Sequence, residues 1–249
     1  MLDCKWCDEL FISAHGNQIY CSVECRTAYS ASNGAERMAA CRIRKGKDVV
    51  NAYSRELQRA KRLSVIGQLG GVCVCCEIDK WQFLAVDHVA GGGTKLRLEM
   101  GVRQAFNALI VSNTAQLLCH NCNGSYGAYG YCPHCQESSF PVELPSIKKI
   151  GSKKLWMPYY KRYRNQQLRL NAFSSYGAQC SCCFEYRYEF LTIDHIEGGG
   201  SEHRKKVHNI YEWLRANGYP KGFRTLCYNC NGSLGLYGTC PHKENGYGR

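Results

Sequence analysis

FLTIDHIEGGG, running from Phe190 to Gly200, decides the fold together with LCYNCNGS, Leu226 to Ser233, further along the chain. Phe190, Leu191 and Ile193 are strand material, and the strand ends on the charged pair Asp194-His195. Gly198-Gly199-Gly200 belongs to neither a helix interior nor a regular strand and marks a permissive loop. The cysteines Cys227 and Cys230 form a knuckle that Asn231 follows directly, with helical sequence beyond. Upstream, CSCC from Cys180 to Cys183 supplies a second C-x-x-C pair. The reading is of a small α+β unit: knuckle, strand, glycine loop, helix over Arg204 to Ala216, second knuckle, helix.

The same unit occurs twice. Displacing the chain by about 107 positions lays FLAVDHVAGGG (Phe83 to Gly93) on the strand and loop, and CVCC (Cys73 to Cys76) on the first knuckle. One inserted residue later, LLCHNCNGSYGAYGYCPH (Leu117 to His134) meets TLCYNCNGSLGLYGTCPH (Thr225 to His242). Agreement is strongest at Cys, Asp, His, Asn and Gly, which are residues of chemistry and turns rather than of packing alone. Between the knuckles of the first copy, Arg97 to Ile110 reads as a helix, with Phe106 in the position of Trp213.

These signals divide the chain into a finger over 1–30, a basic helical linker over 31–69 and the first unit over 70–136. A linker over 137–152, a basic helical lead-in over 153–176 and the second unit over 177–243 complete it. Gln136 to Ile147, with Pro141 and Pro145, has linker composition.

Eighteen cysteines among 249 residues, arranged largely in C-x-x-C pairs, point to thiolate–metal sites. Two knuckles supply the four ligands of a tetrahedral zinc. Three structural zinc sites are expected: Cys4, Cys7, Cys21 and Cys25; Cys73, Cys76, Cys119 and Cys122; Cys180, Cys183, Cys227 and Cys230. Cys75 and Cys182 compete for ligation, although the spacing prefers the outer cysteines. Cys41 reads as a buried small apolar residue. For Cys132, His134 and Cys135, packing of the C-P-H turn is preferred over metal ligation, because Cys135 becomes Lys243 in the second copy.

Lysine and arginine total 32 against 20 acids, a net charge of +12 that suits a polyanionic partner. Each four-thiolate zinc carries a net charge of about −2 and weakens that argument; the distribution is more telling. Basic stretches precede both units, over Arg37 to Arg62 and Lys148 to Arg169. The second interleaves Trp156, Tyr159, Tyr160 and Tyr163 with Lys153, Lys154, Lys161, Arg162 and Arg164, a pattern suited to phosphate contacts. The apolar content of 45% includes no run of membrane-spanning length, and Met1 to Arg26 lacks a signal-peptide core. A soluble, cytoplasmic protein without membrane contact is expected.

On Asp87-His88, Asp194-His195, and Asn123 and Asn231 after the second knuckles, the sequence resembles the HNH (ββα-metal) endonucleases, in particular those like phage recombination endonuclease VII. The resemblance covers the two units and neither the finger nor the basic stretches. It implies a metal-dependent DNA endonuclease in tandem form. Asp87, Asn123, Asp194 and Asn231 would hold Mg²⁺ or Mn²⁺ through oxygen, with His88 and His195 as general bases. It further implies double-stranded or branched DNA as partner, a monomer acting as an intramolecular pseudo-dimer, and the cytoplasm of a phage-infected bacterium. His203, Arg204 and Arg224 of the second copy are candidate phosphate contacts; the first has Leu96, Arg97 and Gln116 there, so the second unit is expected to be the more active. The competing reading is a non-catalytic zinc-finger nucleic-acid-binding protein on the same scaffold.

Overall fold

In the computed structural model, which describes residues 1–13, 17–36, 39, 43, 47–89, 114–138 and 143–244, three C-x-x-C turns close in the same way. The amide after the second cysteine donates back to the carbonyl of the first: Asp8 to Cys4 at 3.0 Å, Glu77 to Cys73 at 2.8 Å, Phe184 to Cys180 at 2.9 Å. Asp8, Glu77 and Phe184 thereby take φ of 59°, 61° and 63°. That left-handed conformation costs a residue bearing a Cβ about 1–2 kcal/mol.

The chain divides into two compact units, Met1–Ser64 and Val65–Arg249. In the first, β1 (Leu2–Asp3) pairs antiparallel with β2 (Leu10–Phe11). Helix α1 (Val23–Ser32) starts at Ser22, whose hydroxyl accepts from the Cys25 amide at 3.1 Å, an N-cap that satisfies an otherwise orphaned donor. Among the described residues of this unit, Cys4 is the only buried apolar side chain. Helix α2 (Lys47–Gln68) carries the part of the first basic stretch from Lys47 onward, and the division between units falls within it.

The second unit contains both repeats. In the first, β3 (Leu84–His88) pairs antiparallel with β4 (Ala115–Cys119), which runs directly into α3 (His120–Tyr129). Helices α4 (Ile147–Ile150) and α5 (Lys153–Tyr176) follow. The second repeat comprises β5 (Leu191–His195), α6 (Gly200–Lys206), α7 (Ile210–Ala216), β6 (Phe223–Cys227), α8 (Tyr228–Tyr237) and α9 (Pro241–Glu244). Strand register sets Leu84 opposite Cys119 and Leu191 opposite Cys227. A knuckle cysteine therefore stands beside the start of each strand, and the Asp-His pair stands at its far end.

The chain is thus mixed α and β, with short antiparallel sheets. Phe83 and Phe190 lie in 3-10 turns ahead of the strands rather than within them, with fully buried rings. The helix expected over Arg204 to Ala216 is two helices, because the Asn209 side chain accepts from the Tyr211 amide at 3.0 Å and caps a new start. Gly198 and Gly199 both hold φ of 80°, while Gly200 already opens α6. Cys41, Gly91 to Gly93, Leu96 and the helix expected over Arg97 to Ile110 with Phe106 lie outside the described residues.

Helix α5 has two halves. Lys153, Lys154, Lys161 and Arg162 are exposed, whereas Gln166, Leu168, Ala172 and Phe173 are buried. Arg169, within the expected phosphate-binding stretch, donates to the Leu191 carbonyl at 2.7 Å and lies 5.1–5.3 Å from the ring centres of Phe173, Tyr188 and Tyr211. It serves the core through cation–π contacts.

The repeats pack on one another reciprocally, each making with its partner the contact the partner makes with it. The Asn121 amide donates to Asn229 Oδ1 at 2.9 Å, and the Asn229 amide to Asn121 Oδ1 at 2.8 Å. The His134 ring lies 4.9 Å from that of Phe190, and His242 lies 5.1 Å from Phe83. Tyr237 meets Trp81, and Tyr129 meets Tyr188. One apolar core runs through both repeats. Among the described residues no helix is long and apolar enough to cross a membrane.

Candidate metal centres and strand-end sites

The two cysteines of each first knuckle meet a second pair delivered by a helix start. Cys119 and Cys227 are the N-caps of α3 and α8, their sulfurs accepting from the amides of Cys122 and Cys230 at 3.5 Å. Sulfur separations are 3.7 Å for Cys76–Cys119, 3.4 Å for Cys119–Cys122, 3.7 Å for Cys76–Cys122 and 3.8 Å for Cys183–Cys227. In the finger, Cys7–Cys21, Cys21–Cys25 and Cys7–Cys25 stand at 3.6, 3.4 and 3.8 Å. A tetrahedral zinc with bonds of about 2.3 Å spaces its sulfurs by about 3.8 Å. The three sets of four fit that ion, with every sulfur of a set within 4.8 Å of the others.

Two further sets have the same compactness: Cys75, Cys122, Cys132 and His134, and Cys182, Cys230, Cys240 and His242. Cys132 and His134, for which packing of the turn was the preferred reading, do pack, His134 on Phe190, and also stand in a group that could hold a metal ion. What brings them there is a buried serine. Ser125 Oγ donates to the Tyr131 carbonyl at 2.7 Å, and Ser233 Oγ to the Thr239 carbonyl at 2.7 Å, fixing the turns that carry Cys132 and Cys240. The repetition of N-G-S in both copies was the available sequence signal. Cys135 is exposed and lies 3.1 Å from Cys75 Sγ.

The thiols perturb one another strongly. Hydrogen bonding with Cys119 and the neighbouring cysteines pulls Cys73 far below the ordinary thiol range, and the equivalent bonds from Cys183 do so for Cys180. Cys122 and Cys230 are pushed far up, chiefly by Cys119 and Cys180 respectively. Their contacts lower Cys132 to about 5 and Cys240 to about 4. The sulfur touching both sets is thus pushed toward its protonated form, and so are Cys119 and Cys227. A divalent cation can take the place of that proton.

The Asp-His pairs occupy the opposite ends of the strands. Asp194 Oδ2 accepts from Nε and Nη2 of Arg224, both at 2.8 Å, directly across the sheet. Asp87 Oδ2 instead accepts from Gln116 Nε2 at 3.0 Å. His195 Nε2 lies 2.8 Å from His203 Nδ1, and its ring packs on Phe223 at 4.6 Å. His203 in turn stands edge-on to Trp213 at 4.4 Å. Burial holds His195 below the usual histidine range, helped by His203 and Arg204 and opposed by Asp194. His88 is opposite Ala115, so no cross-strand ring supports it.

Asn123 and Asn231, half-buried, sit in the first turns of α3 and α8, which pack against β3 and β5. Of the expected phosphate contacts, Arg224 and His203 are engaged with Asp194 and His195, and Arg164 pairs with Glu212 at 2.5 Å. Arg204 is exposed on α6.

Comparison with protein-family models, with curated proteins and with solved structures finds no match for this chain.

Proposed function

We propose that the chain is a metal-dependent DNA endonuclease of the HNH type, with the second repeat the principal catalyst. The observation that carries this reading is the strand-end arrangement: Asp194-His195 closes a two-stranded hairpin whose other strand leads, through a cysteine knuckle, into the helix bearing Asn231. The same arrangement recurs at Asp87-His88 and Asn123.

The oxygen donors of Asp194 and Asn231 suit a hard divalent cation, Mg²⁺ or Mn²⁺, which supplies charge neutralisation at a scissile phosphate. Asp194 uses Oδ2 for Arg224, which leaves Oδ1 for such a role. With Nε2 of His195 shared with His203, Nδ1 is the basic nitrogen left to take the proton of an attacking water. A depressed pKa keeps that imidazole neutral and ready at neutral pH. Arg224 and Arg204 bring positive charge to the same strand end, where a phosphate would gain most from it. The exposed lysines and arginine of the first half of α5 suit the DNA backbone on either side of the cut. Two such centres in one chain act as an intramolecular pseudo-dimer on double-stranded or branched DNA, in the cytoplasm of a phage-infected cell.

The test is conversion of supercoiled plasmid by wild type, His88→Ala, His195→Ala and the double variant, with Mg²⁺, Mn²⁺ or EDTA. A loss of about 10²- to 10⁴-fold is expected for His195→Ala, the usual contribution of a general base. Absence of metal-dependent cleavage in a zinc-loaded protein that still binds DNA would establish the second reading, a non-catalytic zinc-finger binding protein. The Arg224–Asp194 ion pair favours that alternative to the extent that it serves only to join two strands.

A further inference from the structure

We propose that each repeat holds a dinuclear zinc centre in which one thiolate, Cys122 in the first and Cys230 in the second, bridges two ions. The inference stands apart from the nuclease reading and needs no catalysis.

Both compact sets in a repeat contain the same central cysteine. Cys122 Sγ is 3.4 Å from Cys119 Sγ and 3.7 Å from Cys76 Sγ on one side, and 3.2 Å from His134 Nδ1 on the other. Cys132 Sγ is 3.5 Å from that same nitrogen. The second repeat reproduces the pattern. There Cys230 and Cys240 lie 3.3 and 3.6 Å from His242 Nδ1, and Cys182 lies 3.7 Å from Cys240. Zinc with bonds of about 2.3 Å to sulfur and 2.0 Å to imidazole nitrogen spaces a sulfur and a nitrogen by about 3.5 Å. The distances match an ion at the second set as well as at the first.

Charge also permits it. Four thiolates around one Zn²⁺ leave two negative charges. Adding Cys75 and Cys132 as thiolates, His134 as neutral imidazole and a second Zn²⁺ adds nothing to that total. The alternative, two further thiols crowded against an existing anionic site, gains no metal bonds. Cys135 is excluded from the set because its counterpart is Lys243, while the other seven ligands of the repeat all recur.

The second ion has a distinct place in the fold. Its histidine rests on the other repeat: His134 on Phe190, with Arg187 Nη1 3.4 Å from its Nε2, and His242 on Phe83. The four-thiolate ions close the individual repeats, whereas the Cys–His ions fix the rings through which the repeats meet.

The measurement is the zinc content of the intact, reduced chain by native mass spectrometry and by elemental analysis. Five ions are expected, one for each compact set. A content of three, one for each four-cysteine set, overturns the proposal. Replacement by cadmium-113 is expected to give two pairs of resonances split by coupling through a shared sulfur; unsplit resonances overturn the bridge. The variant carrying Cys132→Ser and His134→Ala is expected to lose a single ion, and Cys135→Ser none. Retention of all ions by the first, or loss of one by the second, refutes the ligand assignment. The wild-type count decides the matter even if a variant does not fold.

Discussion

Opposite each strand-end aspartate stands a different partner, Arg224 facing Asp194 and Gln116 facing Asp87. One cation separates a charged site from a neutral one across the sheet, and in the second repeat the His203 and Trp213 rings stand behind His195. Arg224→Gln should therefore lower cleavage by the second repeat about tenfold or more, with little change in stability, because partly exposed ion pairs contribute only about 0–1 kcal/mol. Rates on a substrate cut by the His88→Ala background would check it; an unchanged rate would leave Arg224 a structural pair. The knuckles offer a second residue-scale test. Phe184 is exposed yet held at a φ of 63°. Phe184→Gly should relieve left-handed strain and, after the entropy cost of glycine, raise stability by about 0.5–1 kcal/mol in denaturant unfolding. At this scale the sequence was most readable. The spacing of two cysteines is local information, and so is an Asp-His pair after apolar residues. For Cys132 and His134 the sequence left ligation open beside packing, because Cys75, which completes their group, comes from a distant part of the chain. The mismatch of Cys135 with Lys243 also pointed away from ligation.

Helices α3 and α8 cross where each carries a glycine, and a Cβ on Gly124 or Gly232 would come within 2.8 Å of the Tyr228 or His120 ring. Alanine favours a helix over glycine by up to about 1 kcal/mol, whereas forcing a group into a packed contact costs about 1–3 kcal/mol. The contact term is larger, so Gly124→Ala and Gly232→Ala should each destabilise by about 1 kcal/mol. A rise in the unfolding midpoint would show that the rings yield freely. The strands and these two helices were legible from apolar runs, knuckles and closing glycines such as Gly130 and Gly238, which cap the helices in left-handed conformation. The break between α6 and α7 was not, since one Asn side chain outweighs a continuous helical composition. Nor was the core role of Arg169, two of whose three aromatic partners, Tyr188 and Tyr211, come from other segments.

Taken whole, the chain joins a finger with almost no apolar burial among its described residues to repeats that share a continuous core. Chelation should act on these unequally. Hydrogen exchange during titration with a zinc chelator is expected to show Met1–Ser32 losing protection first, since metal binding is there the main source of folding energy. Simultaneous loss throughout the chain would mean that the finger is held by more than its cysteines. The duplication itself was legible at once. Its packing was not, because nothing local in the sequence tells that residue 121 meets residue 229. That meeting has a consequence for how the two copies can change. Elsewhere a copy can drift alone, as Gln116 and Arg224 have done. Where the repeats meet, each Asn side chain accepts from the backbone amide of its counterpart, so losing either side chain strands a buried amide in the other repeat. Each asparagine is thus held in place by the other copy's main chain, and exchanging both together would strand two amides rather than relieve one.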